Sequence, residues 1–231
     1  MRKYLLILLI FSVFLSEIAL SINEIAGFLL YSVLIASVFI AFSRAEEIDN
    51  YGKIAVFMLI VPMLRVAEIF IPLSLFWRTV IFYYLLFFLV IFYSFKFRIN
   101  LSFRRKNLLL LPLVIILAIG LGILGNKLFS LQKTIELLYI LPIIAFSEEV
   151  LFRGLIQNII KKEYGWLIAI LIPAILYSIF SLSFGIYFGL FIFFVSLIIG
   201  LIYNFCRNIF LTIIINMILQ IFLFVIPEIS L

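Results

Sequence analysis

The chain has 231 residues, of which 68% are hydrophobic and 12% are charged, and its mean hydropathy is +1.40. Hydrophobic runs this long and numerous exclude a soluble globular core and indicate an integral membrane protein. The net charge of +6 does not indicate nucleic-acid binding, because the basic residues lie between apolar runs instead of gathering on one face.

Nine apolar segments follow one another, each near the ~20 residues that a helix needs to cross the hydrocarbon. The first reaches about Ile22; it contains Glu17 and lacks a small-x-small cleavage site, so we interpret it as a retained span and not as a signal peptide. The others lie at 25–43, 54–75, 79–95, 108–126, 135–158, 166–183, 185–204 and 208–226. Because 185–204 could be a shorter element, the sequence predicts an all-α polytopic transmembrane helical bundle of eight or nine spans.

The basic residues between these spans predict their orientation. With the N-terminus inside, the inner segments hold twelve Lys and Arg residues and the outer segments hold three. Cytoplasmic loops carry an excess of Lys and Arg in membrane proteins. We therefore expect a protein of the cell (plasma) membrane with its N-terminus in the cytoplasm and membrane lipids around it.

The most polar part of an apolar segment is FSEEVLFRGLIQ, residues 146–157. Glu149 and Arg153 are four residues apart with the acid first, the favourable order for an ion pair within a helix. Glu148 has no such local partner and must face other helices. Charged groups inside a span are costly and mark functional sites, although a helix end at the membrane surface would also accommodate both acids.

Two backbone signals accompany this stretch. Pro142 lies one and a half turns before Glu148 and predicts a kink that could admit water there. Gly120, Gly122 and Gly125 predict close packing of the fifth span against a neighbour.

The composition also restricts the chemistry. The chain has no histidine, the commonest zinc ligand and the usual acid–base side chain near neutral pH. Its single cysteine, Cys206, excludes an intrachain disulfide. The sequence therefore identifies no cofactor and no metal site, and its carboxylates alone would suit a hard ion such as magnesium better than zinc.

EEVLFRG at 148–154 resembles the EExxxR motif of the CPBP family of intramembrane proteases. This family includes prenyl-protein CAAX endopeptidases, bacteriocin-processing and self-immunity proteins, and lysostaphin-resistance-type proteins. FSLSF at 180–184 resembles its FxxxH motif, with Phe184 in place of the histidine. Gly200–Gln220 aligns without a gap to a third family stretch, with Asn216 in place of the second histidine and Gln220 in place of the asparagine. The resemblance covers about 135–224.

The resemblance implies roles for individual residues. Glu148 would be the base that activates water for attack on a peptide carbonyl, with Glu149 and Arg153 as its structural and electrostatic support. In the family the second histidine and the asparagine bind the oxyanion, and some accounts add a metal ion. Asn216 and Gln220 lie four apart on one helical face and could form an oxyanion hole from their amide groups.

Phe184 can neither hold a proton nor bind a metal, so two hypotheses remain open. Either the protein is an endopeptidase that relies on Glu148 alone, with catalysis weakened, or it is an inactive pseudoprotease that keeps the site as a scaffold or binding site. The partner would be a membrane-bound or lipidated peptide or protein. A transporter is a third hypothesis, but it predicts an inverted repeat that the sequence does not show.

These expectations divide the chain at residue 130. We interpret 1–130 as an N-terminal transmembrane region of unknown role and 131–231 as a CPBP-like protease core. The last four spans are expected to form a conical cavity around Glu148, with its mouth toward the cytoplasm or laterally into the bilayer.

Overall fold

The structure is a computed structural model that describes residues 2–43, 50–69, 75–96, 110–129, 138–182 and 185–225. These residues are almost entirely helical and contain no strand, which confirms the all-α class. The α-helices are α1 (Arg2–Ile22), α2 (Glu24–Ser43), α3 (Asn50–Ile69), α4 (Leu75–Lys96), α5 (Leu111–Phe129), α6 (Leu141–Glu149), α7 (Asn158–Tyr164), α8 (Trp166–Phe180), α9 (Ile186–Cys206) and α10 (Ile209–Gln220). Two π-helical segments, Val150–Gln157 and Ile221–Val225, follow α6 and α10.

Two segments in the described part of the chain are long and apolar enough to cross a membrane by length and composition, Trp77–Phe95 in α4 and Ile186–Cys206 in α9. Several other apolar helices have between 10 and 17 residues in their hydrophobic part. The structure thus agrees with a helical membrane protein, while the number of eight or nine spans is not confirmed and stays a prediction.

Helix α6, the first π-helical segment and α7 form one continuous helix, residues 141–164, which we name the central helix. Pro142 lies in its first turn, where the missing N–H removes no hydrogen bond from the helix. The kink predicted at Pro142 is therefore wrong. The irregularity lies after Glu149 instead, in the wider turns of Val150–Gln157, and π-helical turns are frequent at functional sites.

The central helix is packed against α3, α4, α8, α9 and α10. Three of its polar side chains, spaced four residues apart, donate hydrogen bonds to three acceptors on α9 that are also four residues apart. The pairs are Arg153 with Ser196, Gln157 with Gly200, and Lys161 with Asn204. Because both sets advance together along the chain, the central helix and α9 run parallel, and their register is determined by polar contacts.

The glycines of α5 differ in what surrounds them. A Cβ atom on Gly122 would lie 2.5 Å from Phe222 Cβ, and one on Gly125 would lie 2.5 Å from a Leu223 methyl carbon, so both mark close packing as predicted. The same prediction is wrong for Gly120, because no atom of another described helix lies within 4 Å of the position that its Cβ would take.

Candidate active site

Glu148, at the end of α6, lies at the centre of a hydrogen-bonded cluster and is 7% exposed. Its Oε2 atom accepts three hydrogen bonds, from Tyr177 Oη at 2.6 Å, Gln220 Nε2 at 2.8 Å and Asn216 Nδ2 at 3.0 Å. Its Oε1 atom accepts one, from Tyr83 Oη at 2.9 Å. A carboxylate oxygen has about two acceptor positions, so the donors occupy Oε2 fully and leave one position on Oε1.

The donors come from three helices that pack on the central helix. Tyr83 lies on α4, Tyr177 lies on α8, and the two amides lie one turn apart on α10. The spacing of four residues between Asn216 and Gln220 places both side chains on the same face of α10, as the sequence predicts. Gln220 Nε2 also donates to Asn216 Oδ1 at 3.3 Å, which joins the two amides.

Glu149 and Arg153 form the second part of the cluster, and both are 0% exposed. Arg153 Nε lies 3.4 Å from Glu149 Oε2, so the ion pair expected from their spacing is present. Arg153 Nη2 donates to the carbonyl oxygen of Ser196 at 3.2 Å and to its hydroxyl at 2.8 Å. The guanidinium carbon also lies 5.6 Å from the centre of the Tyr177 ring, whose hydroxyl bonds to Glu148. Tyr177 therefore connects the two parts of the cluster.

The structure brings together five of the six residues that the sequence analysis singled out for this site. They are Glu148, Glu149, Arg153, Asn216 and Gln220. The sixth, Phe184, lies outside the described residues. The expected conical cavity around Glu148 is not confirmed, because the carboxylate is enclosed by its donors and by packed helices. The donor from α4 also shows that the surroundings of Glu148 are not built from the last four predicted spans alone.

Sequence reasoning missed three polar side chains of the cluster, Tyr83, Tyr177 and Ser196. The two tyrosines lie inside predicted apolar spans, and a buried tyrosine hydroxyl usually needs a hydrogen-bond partner. This need for a partner is the signal in the sequence that could have indicated the two tyrosines. It does not indicate which partner is used, because the pairs Tyr83–Glu148 and Tyr177–Glu148 are 65 and 29 residues apart.

The residues present do not fit a metal ion at Glu148. A cation needs several oxygen ligands that are free to coordinate it. Here both oxygens of Glu148 face O–H and N–H donors, whose positive ends point at the position that a cation would occupy. In the part of the chain that the structure describes, no group of three His, Cys, Asp or Glu side chains lies close together.

The amides have little capacity left to bind a developing oxyanion. Both N–H groups of Gln220 are used, one by Glu148 and one by Asn216. Asn216 uses one of its two N–H groups for Glu148. At most one N–H group, on Asn216, therefore remains for an oxyanion in this arrangement.

Residues 130–222 match the family model described as Rce1-like, type II CAAX prenyl endopeptidase Rce1-like. The match covers less than half of the 231-residue chain, and it includes every residue of the Glu148 cluster except Tyr83. The comparisons with curated proteins and with solved structures found no match.

Proposed function

We propose that this chain is a CAAX-protease-like member of the CPBP family of intramembrane proteases and that its hydrolytic activity is weakened or lost. The match of residues 130–222 to the family model supports this membership. Glu148 is the water-activating base of this site, with Glu149 and Arg153 as its support. The observation that carries the proposal is the state of Glu148 Oε2, which accepts three hydrogen bonds and offers no position for a water molecule.

The composition supports the same conclusion. A positioned acid–base partner typically contributes ~10²–10⁴ to the rate, and this chain has no histidine to supply it. Each donor of an oxyanion hole typically contributes ~10²–10³. Both N–H groups of Gln220 are already used, so at most one amide N–H group remains to bind the oxyanion. The contribution of the oxyanion hole to the rate is therefore also reduced.

Residual hydrolysis remains compatible with the geometry at the other oxygen. Glu148 Oε1 accepts a single hydrogen bond, from Tyr83, and an ionised oxygen has two acceptor positions. A water molecule bonded there would be the nucleophile of a slow, glutamate-dependent endopeptidase.

The second candidate function is a binding or scaffolding protein that uses the same cluster without chemistry. It is favoured by the four donors that bond to Glu148 and by the ion pair beside it, because contacts from several helices to one buried group stabilise one arrangement of those helices. The partner in this case is a membrane-bound or lipidated peptide.

The excess of Lys and Arg in alternate loops supports an orientation with the N-terminus in the cytoplasm.

Proteolysis in reconstituted liposomes distinguishes the two functions. The substrates are prenylated peptides, the same peptides without the lipid, and single-span reporters. The proteins are the wild type, Glu148→Gln, the restored variant Phe184→His with Asn216→His, and Glu163→Gln as a matched control on an exposed carboxylate.

We expect wild-type cleavage to be absent or slow. Any wild-type cleavage should disappear in Glu148→Gln and persist in Glu163→Gln. Restoration of both imidazoles should raise the rate by about 10²-fold or more. Cleavage that is fast in the wild type would contradict weakened catalysis, and cleavage that survives in Glu148→Gln would contradict its role as the base.

A further inference from the structure

A groove with no polar lining separates α5 from α9, on a part of the molecule that the Glu148 cluster does not include. Its volume is about 250 Å³. The side chains that line it include Leu113, Val114 and Leu117 from α5, and Ile198, Ile202 and Cys206 from α9. From 198 to 206 it follows α9 for ~12 Å at 1.5 Å per residue, close to the ~15 Å thickness of one hydrocarbon leaflet. An aliphatic chain of a lipid fits this lining.

One end of the groove is cationic. Cys206, the last residue of α9, lines the groove, and the next residue, Arg207, has an exposed side chain. Arg207 ends the helix in the left-handed region, with φ 47°, and its N–H donates to the Tyr203 carbonyl. Glycine is the usual residue in this conformation, which costs other residues free energy. This position therefore presents a guanidinium where the backbone alone would favour glycine.

A second cation lies at the same end. Lys161 Nζ on α7 donates to Asn204 Oδ1 on α9 at 2.6 Å, which holds the ammonium beside the last turn of α9. Lys161 lies outside the predicted span, and burial together with the positive charge of Arg207 lowers its pKa. Among the described residues, neither cation has a carboxylate partner within ion-pair distance. Two cations that repel each other make this end of the groove a positively charged surface, which an anion would stabilise.

We propose that the groove between α5 and α9 binds an anionic phospholipid, with one acyl chain along the apolar lining and the phosphate between Arg207 and Lys161. Charge complementarity selects an anionic headgroup, since basic residues at a membrane surface attract anionic lipids. The apolar lining selects a lipid over a free phosphate. The site requires no proteolysis, so it stands apart from the function proposed for Glu148.

Thermal unfolding of the whole detergent-solubilised protein measures this binding, with phosphatidylglycerol or phosphatidylcholine added in increasing amounts. We expect phosphatidylglycerol to raise the midpoint at lower lipid concentration than phosphatidylcholine does. Arg207→Gln and Lys161→Gln should each raise the phosphatidylglycerol concentration that is required about fivefold. Lys162→Gln is the matched control, because it removes the same charge from the adjacent exposed position and should change the concentration less than twofold.

Two further variants keep the test independent of folding. Arg207→Gly removes the cation together with the unfavourable backbone conformation, so it should fold at least as well as the wild type and still lose the preference for phosphatidylglycerol. Leu117→Phe enlarges a half-buried side chain of the lining, fills the groove and should weaken the binding of both lipids.

Three results would overturn the proposal. Equal stabilisation by the two lipids would remove the role of the cations. Equal stabilisation by glycerol phosphate and by phosphatidylglycerol would show a free-phosphate site without a role for the groove. An effect of Lys162→Gln as large as that of Arg207→Gln would show attraction by general surface charge.

Discussion

Removal of either partner of the buried ion pair between Glu149 and Arg153 should strongly destabilise the protein. Both side chains are 0% exposed, and the atoms Nε and Oε2 lie 3.4 Å apart. Arg153→Met leaves the Glu149 carboxylate buried without its cation, and we expect a loss of about 3–5 kcal/mol of unfolding free energy. Glu149→Met should cost somewhat less, because the guanidinium keeps its two bonds to Ser196.

The double variant tests whether this cost belongs to the pair. Replacement of both residues by methionine removes both charges at once, and apolar replacement of a buried pair is often close to neutral. We therefore expect the double variant to be no less stable than Arg153→Met, with a coupling energy of about 3 kcal/mol between the two positions.

Reversible unfolding in mixed micelles with increasing sodium dodecyl sulfate, followed by circular dichroism, gives the four free energies of the cycle. Lys162→Met and Glu163→Met on the exposed face of α7 are the control pair, and each should change stability by less than about 0.5 kcal/mol. Additive costs for Glu149→Met and Arg153→Met, within about 0.5 kcal/mol, would refute the argument that the two residues stabilise each other.

The same unfolding assay checks two more predictions. Tyr177→Phe should cost about 1.5–3 kcal/mol, because it removes the shortest hydrogen bond to a buried carboxylate. Tyr83→Phe should cost less, because its bond is longer, at 2.9 Å, and its side chain is only half-buried. Equal costs would show that burial does not control these bonds. Gly122→Ala should cost about 1–3 kcal/mol through contact with Phe222, and Gly120→Ala on the same helix should be neutral or stabilise by up to about 1 kcal/mol. A destabilised Gly120→Ala would mean that α5 has a neighbour at that position.

Local rules were sufficient wherever the interaction lies within one helix. The ion pair of Glu149 with Arg153 and the shared face of Asn216 and Gln220 both follow from a separation of four residues, so the sequence predicted them. The membrane class followed from composition in the same way, because hydropathy is a sum over residues and does not depend on how the helices are arranged.

Contacts between helices depend on the register of one helix against another, which no local spacing contains. The sequence left Glu148 without a local partner, and only the packing of α4, α8 and α10 on the central helix decided that Tyr83 and Tyr177 would join the two amides there. The same holds for the glycines of α5, where Gly122 touches a neighbour and Gly120 does not. By itself the sequence determined a helical membrane protein with a polar stretch at 146–157, because periodicity and hydropathy are properties of single segments. The tertiary structure decided which donors surround the carboxylate, because only side chains distant in sequence were available to satisfy it.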